Sequence, residues 1–437
     1  MNLQDWLVER RAAHPMAVTE VSLEECDPWR LNDNVLTRPD GRFFQGVLSA
    51  SQAWILQPEI GILGFLVSGE SGNLDILLNL KEEPGNVLTT QIAPSVQATR
   101  SNWEQVHDGP PQPYIELFLG QNPDARQYLS ILNSEQGTRF WKKRNRNLVV
   151  GTDRALPETP NLRWFPMPDM RVMLGKSFTV NTDARSVLAS ADWCWLLGNE
   201  TDTRDNHDHP VMFKIRAEIQ DRKPSGVDSL EILRIARKKR AWSVPTGFLP
   251  AYHQAVNDDR FWGTGATAFR FFDITSNFRE VAQWCQPLYS SQERLVHYLV
   301  VSEISGSVSL LLRICDEEGL YGGAEFGPSS TVGIETKRDC SRILSAEISA
   351  QIDGFGLTLR EIEQSDEGGR FFEEVALYRL VWVDPNQLRP STPIGTTLSD
   401  PDYAWVTPSE LNALCGTSMA TTNELRTLAS LIISLPT

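Results

Sequence analysis

Hydrogen-bond donors are concentrated in QIAPSVQATRSNW, residues 91–103. After a short strand-like start and a proline, side chains that can donate follow almost without interruption: Gln97, Thr99, Arg100, Ser101 and Asn102. A guanidinium fork combined with hydroxyl and amide groups suits the oxygens of a phosphate or diphosphate. The stretch therefore indicates an anion-binding segment.

A second group of donors is KKRNRN, residues 142–147, which includes Arg144 and Asn145. Four of its six residues are basic in a chain whose net charge is −15. Alone, such a run is typical of a solvated helix end, where cations complement the helix dipole. Together with the donors at 91–103, it also suits a phosphate, and both interpretations remain open.

Several familiar motifs are incomplete. GTGATA (263–268) does not follow a buried strand, which argues against a dinucleotide-binding turn, and LGKS (174–177) lacks the first glycine of a phosphate-binding loop. HDH (207–209) has no third ligand at helical spacing, so we predict no metal site. RICDEEGL (313–320) is similar to the tail of the Nudix box, but the upstream Gly and Glu of that box are missing.

Length and composition indicate a soluble protein. The 437 residues suffice for two or three domains, each expected to have its own core, and 41% hydrophobic with 22% charged residues is ordinary for globular chains. The acidic net charge argues against nucleic acid or an anionic membrane as the main partner. The six cysteines form no CxxC pair, and no export signal or membrane-spanning run is evident, so we expect a cytoplasmic protein.

The chain repeats itself. LLNLKEEPG (77–85) aligns with LLRICDEEG (311–319), an offset of 234 (311 minus 77), and Pro94 then falls on Pro328. Further matches follow in the same order: SEQGTRFW (134–141) with SDEGGRFF (365–372), RWF (163–165) with AWV (404–406), and NTDARSVLA (181–189) with TNELRTLAS (422–430). Collinear matches of this kind indicate a tandem duplication. We expect a leading repeat at 1–205, a helical connection at 206–255 and a trailing repeat at 256–437.

Two tryptophans occur at similar places in the repeats. Trp54 precedes Gln57-Pro58, and Trp284 precedes Gln286-Pro287. Each indole either belongs to the core or offers a face on which a base or sugar ring stacks.

Strand patterns outnumber helix patterns. GILGFLVSG, LDILLNL, HYLVVSEI and VSLLLRI predict strands, whereas SEQGTRFWKKRN (134–145), TDARSVLASADWCWLL (182–197) and LEILRIARKKRAW (230–242) predict helices. The second of these helices would open on a Thr/Asp cap. Because helices come late in each repeat, we predict an α+β fold with mixed or antiparallel sheets.

These residues resemble a known family. GRFFQGV (41–47), EPGNVLTTQIAPSVQATRSNW (83–103), VH (106–107) and SEQGTRFWKKRNRN (134–147) resemble the first half of NDP-hexose 2,3-dehydratases, and REVAQWCQPL (279–288) and EGGRFF (367–372) resemble the second half. The resemblance implies two tandem Nudix-like modules without the hydrolase box, a homodimer, and elimination of water from dTDP-4-keto-6-deoxyglucose without a cofactor.

The resemblance and the reaction together suggest site residues. A base removes the proton on carbon 3, donors hold the enolate, and an acid assists the departing hydroxyl of carbon 2. The candidates are Glu135 or Glu83 as base, Lys81 or His107 as acid, and Arg100 with Asn102 on the oxyanion or phosphates. The implied nucleotide-sugar contacts are Trp54, Thr99, Arg100, Ser101, Asn102, Trp103, Ser134, Trp284, Pro328, Ser329, Ser330, Glu367, Gly368, Gly369 and Arg370, to which the donor runs add Gln97, Arg144 and Asn145.

The trailing repeat departs from the family pattern. It reads GPSSTV (327–332) where the family reads like APTVQ, and LYRLVWV (377–383) where the family has an Asn-Arg-aromatic segment. This divergence keeps a second interpretation open, a non-catalytic or divergent nucleotide-sugar-binding protein on the same duplicated scaffold.

Overall fold

The computed structural model describes residues 1–436 except 14–15, 42, 50–51, 104–111, 121, 154–155, 199–208, 222–227, 241–255, 265, 280, 305, 334–351, 353, 385 and 387–402. The helices are α1 (Leu3–Ala13), α2 (Arg100–Trp103), α3 (Met167–Leu174), α4 (Thr182–Ser190), α5 (Trp193–Leu197), α6 (Pro210–Asp221), α7 (Ser229–Arg240), α8 (Pro408–Cys415) and α9 (Asn423–Ile433). A 3-10 turn spans Ile115–Leu117.

The first twelve strands are β1 (Ala17–Val21), β2 (Arg30–Asn32), β3 (Val35–Thr37), β4 (Gln45–Leu48), β5 (Ala53–Leu56), β6 (Gly61–Glu70), β7 (Asn73–Glu82), β8 (Thr90–Ala93), β9 (Val96–Ala98), β10 (Arg126–Ser134), β11 (Arg144–Gly151) and β12 (Leu162–Pro166). The others are β13 (Val256–Asp258), β14 (Phe261–Gly263), β15 (Thr267–Thr275), β16 (Gln283–Ser291), β17 (Leu295–Ile304), β18 (Ser307–Cys315), β19 (Glu325–Gly327), β20 (Ser330–Gly333), β21 (Leu357–Ser365), β22 (Val375–Trp382) and β23 (Tyr403–Val406).

Two seven-stranded sheets have the same topology. The leading sheet runs β10-β11-β6-β7-β12, with β8 on β7 and β9 on β6, and the trailing sheet runs β21-β22-β17-β18-β23, with β19 on β18 and β20 on β17. In each, one parallel pair lies among antiparallel ones, β6 with β11 and β17 with β22. The predicted α+β class, mixed sheets and duplication are therefore confirmed, and the four predicted strands are present.

Paired hydrogen bonds show how closely the repeats correspond. The hydroxyl of Ser95 accepts from the Leu66 amide at 2.9 Å and donates to the Leu77 carbonyl. Ser329, 234 positions later (329 minus 95), accepts from the Val300 amide at 2.8 Å and donates to the Leu311 carbonyl.

The predicted equivalence of Trp54 and Trp284 is wrong. Ile55 forms a parallel bridge with Phe140, and Tyr289 forms the equivalent bridge with Phe371. The structure therefore aligns Ile55 with Tyr289, at the same offset of 234 (289 minus 55). Trp54 and Trp284 are 230 apart (284 minus 54), so they are not equivalent.

The helix predicted at 134–145 is also wrong. Strand β10 ends at Ser134 and β11 begins at Arg144, with a turn between them. The backbone of that turn bonds to β5, since the Ile55 amide donates to the Arg139 carbonyl at 2.9 Å and the Trp141 amide donates to the Ile55 carbonyl at 3.0 Å. Pairing with a distant strand thus outweighs the local helical pattern. The helices predicted at 182–197 and 230–242 correspond to α4 with α5 and to α7.

Each repeat has a smaller apolar cluster of its own, one around Leu66 and Leu148 and one around Val300 and Val381, but the largest cluster spans both repeats. One apolar cluster joins β6 residues such as Phe65 to β17 residues such as Leu299. Helices α4 and α9, one from each repeat, are buried at every position and pack against each other. A helix that is buried all round belongs to the middle of a core.

The smaller sheets also join the repeats. Strands β2 to β5 form one four-stranded sheet, while β13 to β16 form another that β1 extends by pairing with β15. Phe44 of the first sheet stacks on Phe269 of the second with centroids 6.0 Å apart. The N-terminal strand of the leading repeat thus completes a sheet of the trailing repeat. No helix within the described residues is long and apolar enough to cross a membrane.

Candidate active site

A cavity of about 590 Å³ lies where the two repeats meet. Its walls come from the leading sheet, from strand β16 and from the segment 367–370 of the trailing repeat. The structure brings the following predicted residues to its lining: Lys81, Glu83, Gln97, Thr99, Asn145, Trp284, Glu367, Gly369 and Arg370. Both repeats therefore contribute to one site.

The contact between Gly85 and the 367–370 segment positions this wall. The Gly85 amide donates to the Gly368 carbonyl at 2.8 Å, and the Glu373 amide donates to the Gly85 carbonyl at 2.7 Å. A Cβ atom on Gly85 would lie 1.5 Å from the Phe371 carbonyl oxygen, so only glycine fits here. The carboxyl groups of Glu83 and Glu367 are thereby held near each other.

Lys81 and Glu83 form an ion pair in which the carboxylate is buried and the lysine is partly exposed. Strand β7 carries Lys81 near its end, and its ammonium lies 2.7 Å from Glu83 Oε1. The Gln97 amide approaches the same oxygen at 3.5 Å. Burial favours the neutral carboxyl, but Lys81, together with Arg279 and Arg370, outweighs it and lowers the pKa of Glu83. Glu83 is therefore an ionised carboxylate at neutral pH.

Asp183 carries a second carboxyl group in this cavity, and its pKa is shifted in the opposite direction to that of Glu83. Asp183 lies in the first turn of α4. The N-cap of this helix is Asn181, whose side chain accepts a hydrogen bond from the Ala184 amide at 2.8 Å. The predicted Thr/Asp cap is thus corrected by one residue. Burial, followed by the charges of Glu367 and Glu135, raises the pKa of Asp183 well above its usual range. Carboxyl groups with opposite shifts in one cavity are suited to acid and base roles.

Glu135 lies behind the cavity, outside its lining. Its Oε1 accepts from the Asn145 amide at 2.7 Å and its Oε2 accepts from the Asn423 amide at 3.1 Å. Burial first, and then the charge of Glu367, raises its pKa to about 6. Asn145, which lines the cavity, also accepts from the Gly61 amide at 3.0 Å.

Lys143 is a cavity residue from the basic run 142–147. Its ammonium donates to the Glu59 carbonyl, and its side chain is buried. Burial lowers the pKa of Lys143 to about 8, despite the opposing charges of Glu135 and Glu367.

Two arginines of the trailing repeat face the cavity. Arg370 donates to Gln57 Oε1 at 3.2 Å and lies over the Phe43 ring, 4.8 Å from its centroid. Arg279 donates to the Glu82 carbonyl at 3.2 Å and lies 5.9 Å from the Trp284 ring centroid. Two guanidinium groups beside aromatic faces suit a diphosphate that is linked to a ring.

Aromatic side chains line the other wall. Trp284 donates to Gln286 Oε1 at 2.8 Å, and the Gln286 amide in turn donates to the Gly369 carbonyl at 3.0 Å. Trp29 and Phe43 meet edge to face across the opening, with centroids 6.1 Å apart. These contacts hold Trp284 and Gly369 in fixed positions.

Other predicted residues lie away from the cavity. Trp54 is buried against Trp141, and its indole donates to the Ser49 hydroxyl at 3.1 Å. Ser134 donates to Glu325 of the trailing repeat, and Arg144 lies over the Tyr321 ring at 3.6 Å. Pro328 and Ser329 are buried between strands β19 and β20, Ser330 is buried at the start of β20, and none of the three lines this cavity.

The remaining predicted residues either lie outside the cavity lining or belong to parts of the chain that the structure does not describe. Gly368 adjoins Asn86 rather than the cavity, and Arg100 begins the exposed end of α2, which Trp103 closes. The side chains of Ser101 and Asn102 are outside the described part of the chain, as is the whole of His107.

Sequence reasoning missed several cavity residues. These are Trp29, Phe43, Gln57, Lys143, Asp183, Arg279 and Gln286. A signal for Asp183 was present in the repeat, because NTDARSVLA and TNELRTLAS place an acid at the same position in each copy. Arg279 offered no local signal of its own, since its approach to the cavity depends on how the repeats pack.

Comparison with known proteins identifies the family. The sequence profile of the NDP-hexose 2,3-dehydratase family matches residues 1–191 and 267–432, one block in each repeat. The chain therefore belongs to the NDP-hexose 2,3-dehydratase family, a family of enzymes that eliminate water.

Three relatives carry the same name, dTDP-4-dehydro-6-deoxy-alpha-D-glucopyranose 2,3-dehydratase. The protein from Streptomyces violaceoruber is 30% identical, over 99% of this chain and 96% of its own length. Those from Saccharopolyspora spinosa and Amycolatopsis orientalis are each 28% identical, over 98% and 99% of this chain and 90% and 89% of their own lengths.

Proposed function

We propose that this protein is a dTDP-4-keto-6-deoxy-D-glucose 2,3-dehydratase of deoxysugar biosynthesis, yielding a 3,4-diketo-2,6-dideoxy nucleotide sugar. The relatives' names supply the substrate. The observation that carries the proposal is the ion pair of Glu83 with Lys81 in the same cavity as Arg279, Arg370 and Trp284. This cavity combines a base with groups that suit a nucleoside diphosphate.

Glu83 is the base in this proposal. The ketone at carbon 4 acidifies the hydrogen on carbon 3, and a carboxylate that lines the cavity can reach that hydrogen. Both oxygens of the alternative, Glu135, already accept hydrogen bonds from amides, and Glu135 is not part of the lining. Its role is to hold Asn145 in place.

Lys81 stabilises the charge that develops on the carbon 4 oxygen. Its ammonium is next to the base, so the oxygen of the adjacent carbonyl falls within its reach. Such a donor is worth about 10²–10³ in rate when it is held in place before the reaction. His107 stays a prediction.

In this proposal the diphosphate lies against Arg279 and Arg370, and the nucleobase stacks near Trp284. Thr99, Glu367 and Gly369 line the same space. The Arg100–Trp103 segment directly follows Thr99, so its contact with the nucleotide also remains a prediction. The charge on the two guanidinium groups supports this orientation.

We infer the finer architecture from the resemblance. The modules are Nudix-like, with a division at 1–205, 206–255 and 256–437, and two chains form a homodimer in the cytoplasm. The two copies of one sheet topology support the division, and the described cysteines, all free thiols, support a reducing compartment. Sedimentation velocity would test the dimer, and a monomer would contradict it.

The activity is tested with purified protein and dTDP-4-keto-6-deoxyglucose, without added cofactor. The vicinal diketone is trapped with o-phenylenediamine as a quinoxaline and quantified by mass spectrometry. We expect substrate loss and trapped product in equal amounts, with Glu83→Gln inactive but still able to bind dTDP. If the substrate stays intact at every pH tried while dTDP binds, the protein is a nucleotide-sugar-binding protein and not a dehydratase.

A further inference from the structure

The Asp183 carboxyl belongs to the wall of the cavity. The residue is 3% exposed, and it lines the same space as Lys81, Glu83 and Glu367. A buried side chain on a cavity wall is held in place by its surroundings and can contact a ligand that enters the cavity. Asp183 is therefore positioned to act on a bound sugar.

The charged neighbours of Asp183 favour its neutral form. The negative charges of Glu367, Glu135 and Glu83 favour the neutral carboxyl of Asp183, whereas the positive charge of Lys81 favours its ionised form. Lys81 is itself paired with Glu83 at 2.7 Å. Two carboxyl groups near each other cannot easily both be ionised, so the proton resides on the one without the ammonium.

We propose that Asp183 is the general acid, which donates its proton to the carbon 2 oxygen as that oxygen departs as water. The inference rests on the proposed function, and it divides the work between two carboxyl groups of one cavity. Glu83 removes the carbon 3 proton on one side of the sugar, and Asp183 supplies a proton at carbon 2.

The step balances as follows. Glu83 takes the carbon 3 proton, and the electron pair enters the enolate of the carbon 4 ketone. The pair then forms the carbon 2–carbon 3 double bond while the carbon 2–oxygen bond breaks, and the Asp183 proton completes a water molecule. The enol loses its proton at oxygen 3 and gains one at carbon 2 to become the diketone. Proton transfer from Glu83, directly or through solvent, restores Asp183.

The trailing repeat provides a matched control. Glu424 occupies the equivalent position, 241 residues later (424 minus 183), and it is also buried in the first turn of a helix, here α9. Burial raises its pKa as well. Glu424 does not line the cavity, so Glu424→Gln perturbs a similar buried carboxyl without touching the site.

The first experiment compares Asp183→Asn with Glu424→Gln. We expect Asp183→Asn to lower kcat by about 10²–10⁴, the usual contribution of a positioned acid, with dTDP affinity within threefold of wild type. The wild-type rate should fall at high pH as Asp183 ionises, and this decline should be absent in Asp183→Asn. Glu424→Gln should keep wild-type kcat. A kcat for Asp183→Asn within threefold of wild type would overturn the proposal.

A second substrate separates acid catalysis from a structural role. In the 2-deoxy-2-fluoro analogue of the substrate, fluoride departs without needing a full proton. Asp183→Asn should therefore release fluoride, measured with an ion-selective electrode, within about tenfold of the wild-type rate. An equal loss on both substrates would overturn the acid role. Inactive wild-type protein would instead contradict the proposed function.

Discussion

The two repeats place equivalent carboxylates in opposite electrostatic states. We call Lys81, Glu83, Gln97 and Asp183 the leading cluster, and the residues at the equivalent positions of the other repeat, Cys315, Glu317, Thr331 and Glu424, the trailing cluster. Lys81 helps to lower the pKa of Glu83, whereas burial and then the charge of Glu424 raise that of Glu317 well above its usual range, and Cys315 stands where the lysine would be. The side chain at this position, together with the neighbouring charges, thus separates a carboxyl with a lowered pKa from one with a raised pKa.

The arginines show the same contrast. Arg370 and Arg139 are equivalent, 231 residues apart (370 minus 139). Arg370 lines the cavity with the leading cluster, and the charge of Glu424 in the trailing cluster acts on Arg139. Arg139 is paired with Asp366 and with Glu374, the latter at 3.2 Å. At the position of Glu374 the leading repeat has Lys143 (374 minus 231), so Arg370 has no such carboxylate to hold it and faces the cavity. The duplicated backbone therefore permits a site, and a few charges decide whether it can bind an anion.

The largest effect should come from Lys81→Cys, which makes the leading cluster resemble the trailing one. The variant removes the ammonium from Glu83, so the pKa of Glu83 rises and less of the base is ionised. We expect kcat to fall by about 10²–10⁴. Quinoxaline trapping under saturating substrate measures this loss.

Glu317→Gln is the control for that variant, because it changes the trailing cluster at a similarly buried carboxyl. Its kcat should stay within threefold of wild type. Equal losses in both variants would show instead that the two clusters are catalytically equivalent.

The next largest effect should come from Lys143→Glu, which reproduces the charge of Glu374. A carboxylate at 143 should pair with Arg370 as Glu374 pairs with Arg139, and so withdraw it from the diphosphate. Losing a charge-assisted hydrogen bond costs about 1.5–3 kcal/mol, hence dTDP affinity should fall roughly 10- to 150-fold. Calorimetric titration gives the affinity, with Lys143→Arg as the variant that keeps the charge. Unchanged affinity in Lys143→Glu would mean that Arg370 does not contact the nucleotide.

Lys143 also predicts a pH dependence. Because burial lowers its pKa to about 8, the ammonium is charged below that pH and neutral above it. The affinity for dTDP should therefore decline by up to roughly tenfold between pH 7 and 9.5, a range above the phosphate titration near pH 6. In Lys143→Arg the decline should disappear, since a guanidinium stays charged. A decline of the same size in that variant would assign the effect to another group.

The sequence predicted the repeat and much of the leading cluster, but not how the cavity closes. Local runs such as 77–85 carry Lys81 near the end of strand β7 and Glu83 directly after it, and that information is in neighbouring residues. The packing of α4 against α9, which merges the repeats into one core, depends on long-range contacts that no local pattern encodes. Local sequence likewise predicted Gln97 and Thr99 of the donor run 91–103, which line the cavity. Residues 328–330, which were predicted only from the resemblance, do not line it.

The smallest effect should come from the serines that the repeats share in the same role. Ser95→Ala leaves the Leu66 amide and the Leu77 carbonyl without that partner, and Ser329→Ala does the same to Val300 and Leu311. Loss of either buried hydroxyl group should reduce the free energy of unfolding by about 1–3 kcal/mol.

Because the repeats share one core, urea unfolding of either variant should show a single transition, with circular dichroism and tryptophan fluorescence coinciding. The activity per folded molecule should change little in both, since neither serine lines the cavity. Two separated transitions in Ser329→Ala, with activity lost only in the second, would mean that the trailing repeat can unfold while the cavity stays intact. The contribution of Arg370 and Glu367 to the site would then be unnecessary, and the catalytic unit would be the leading repeat alone.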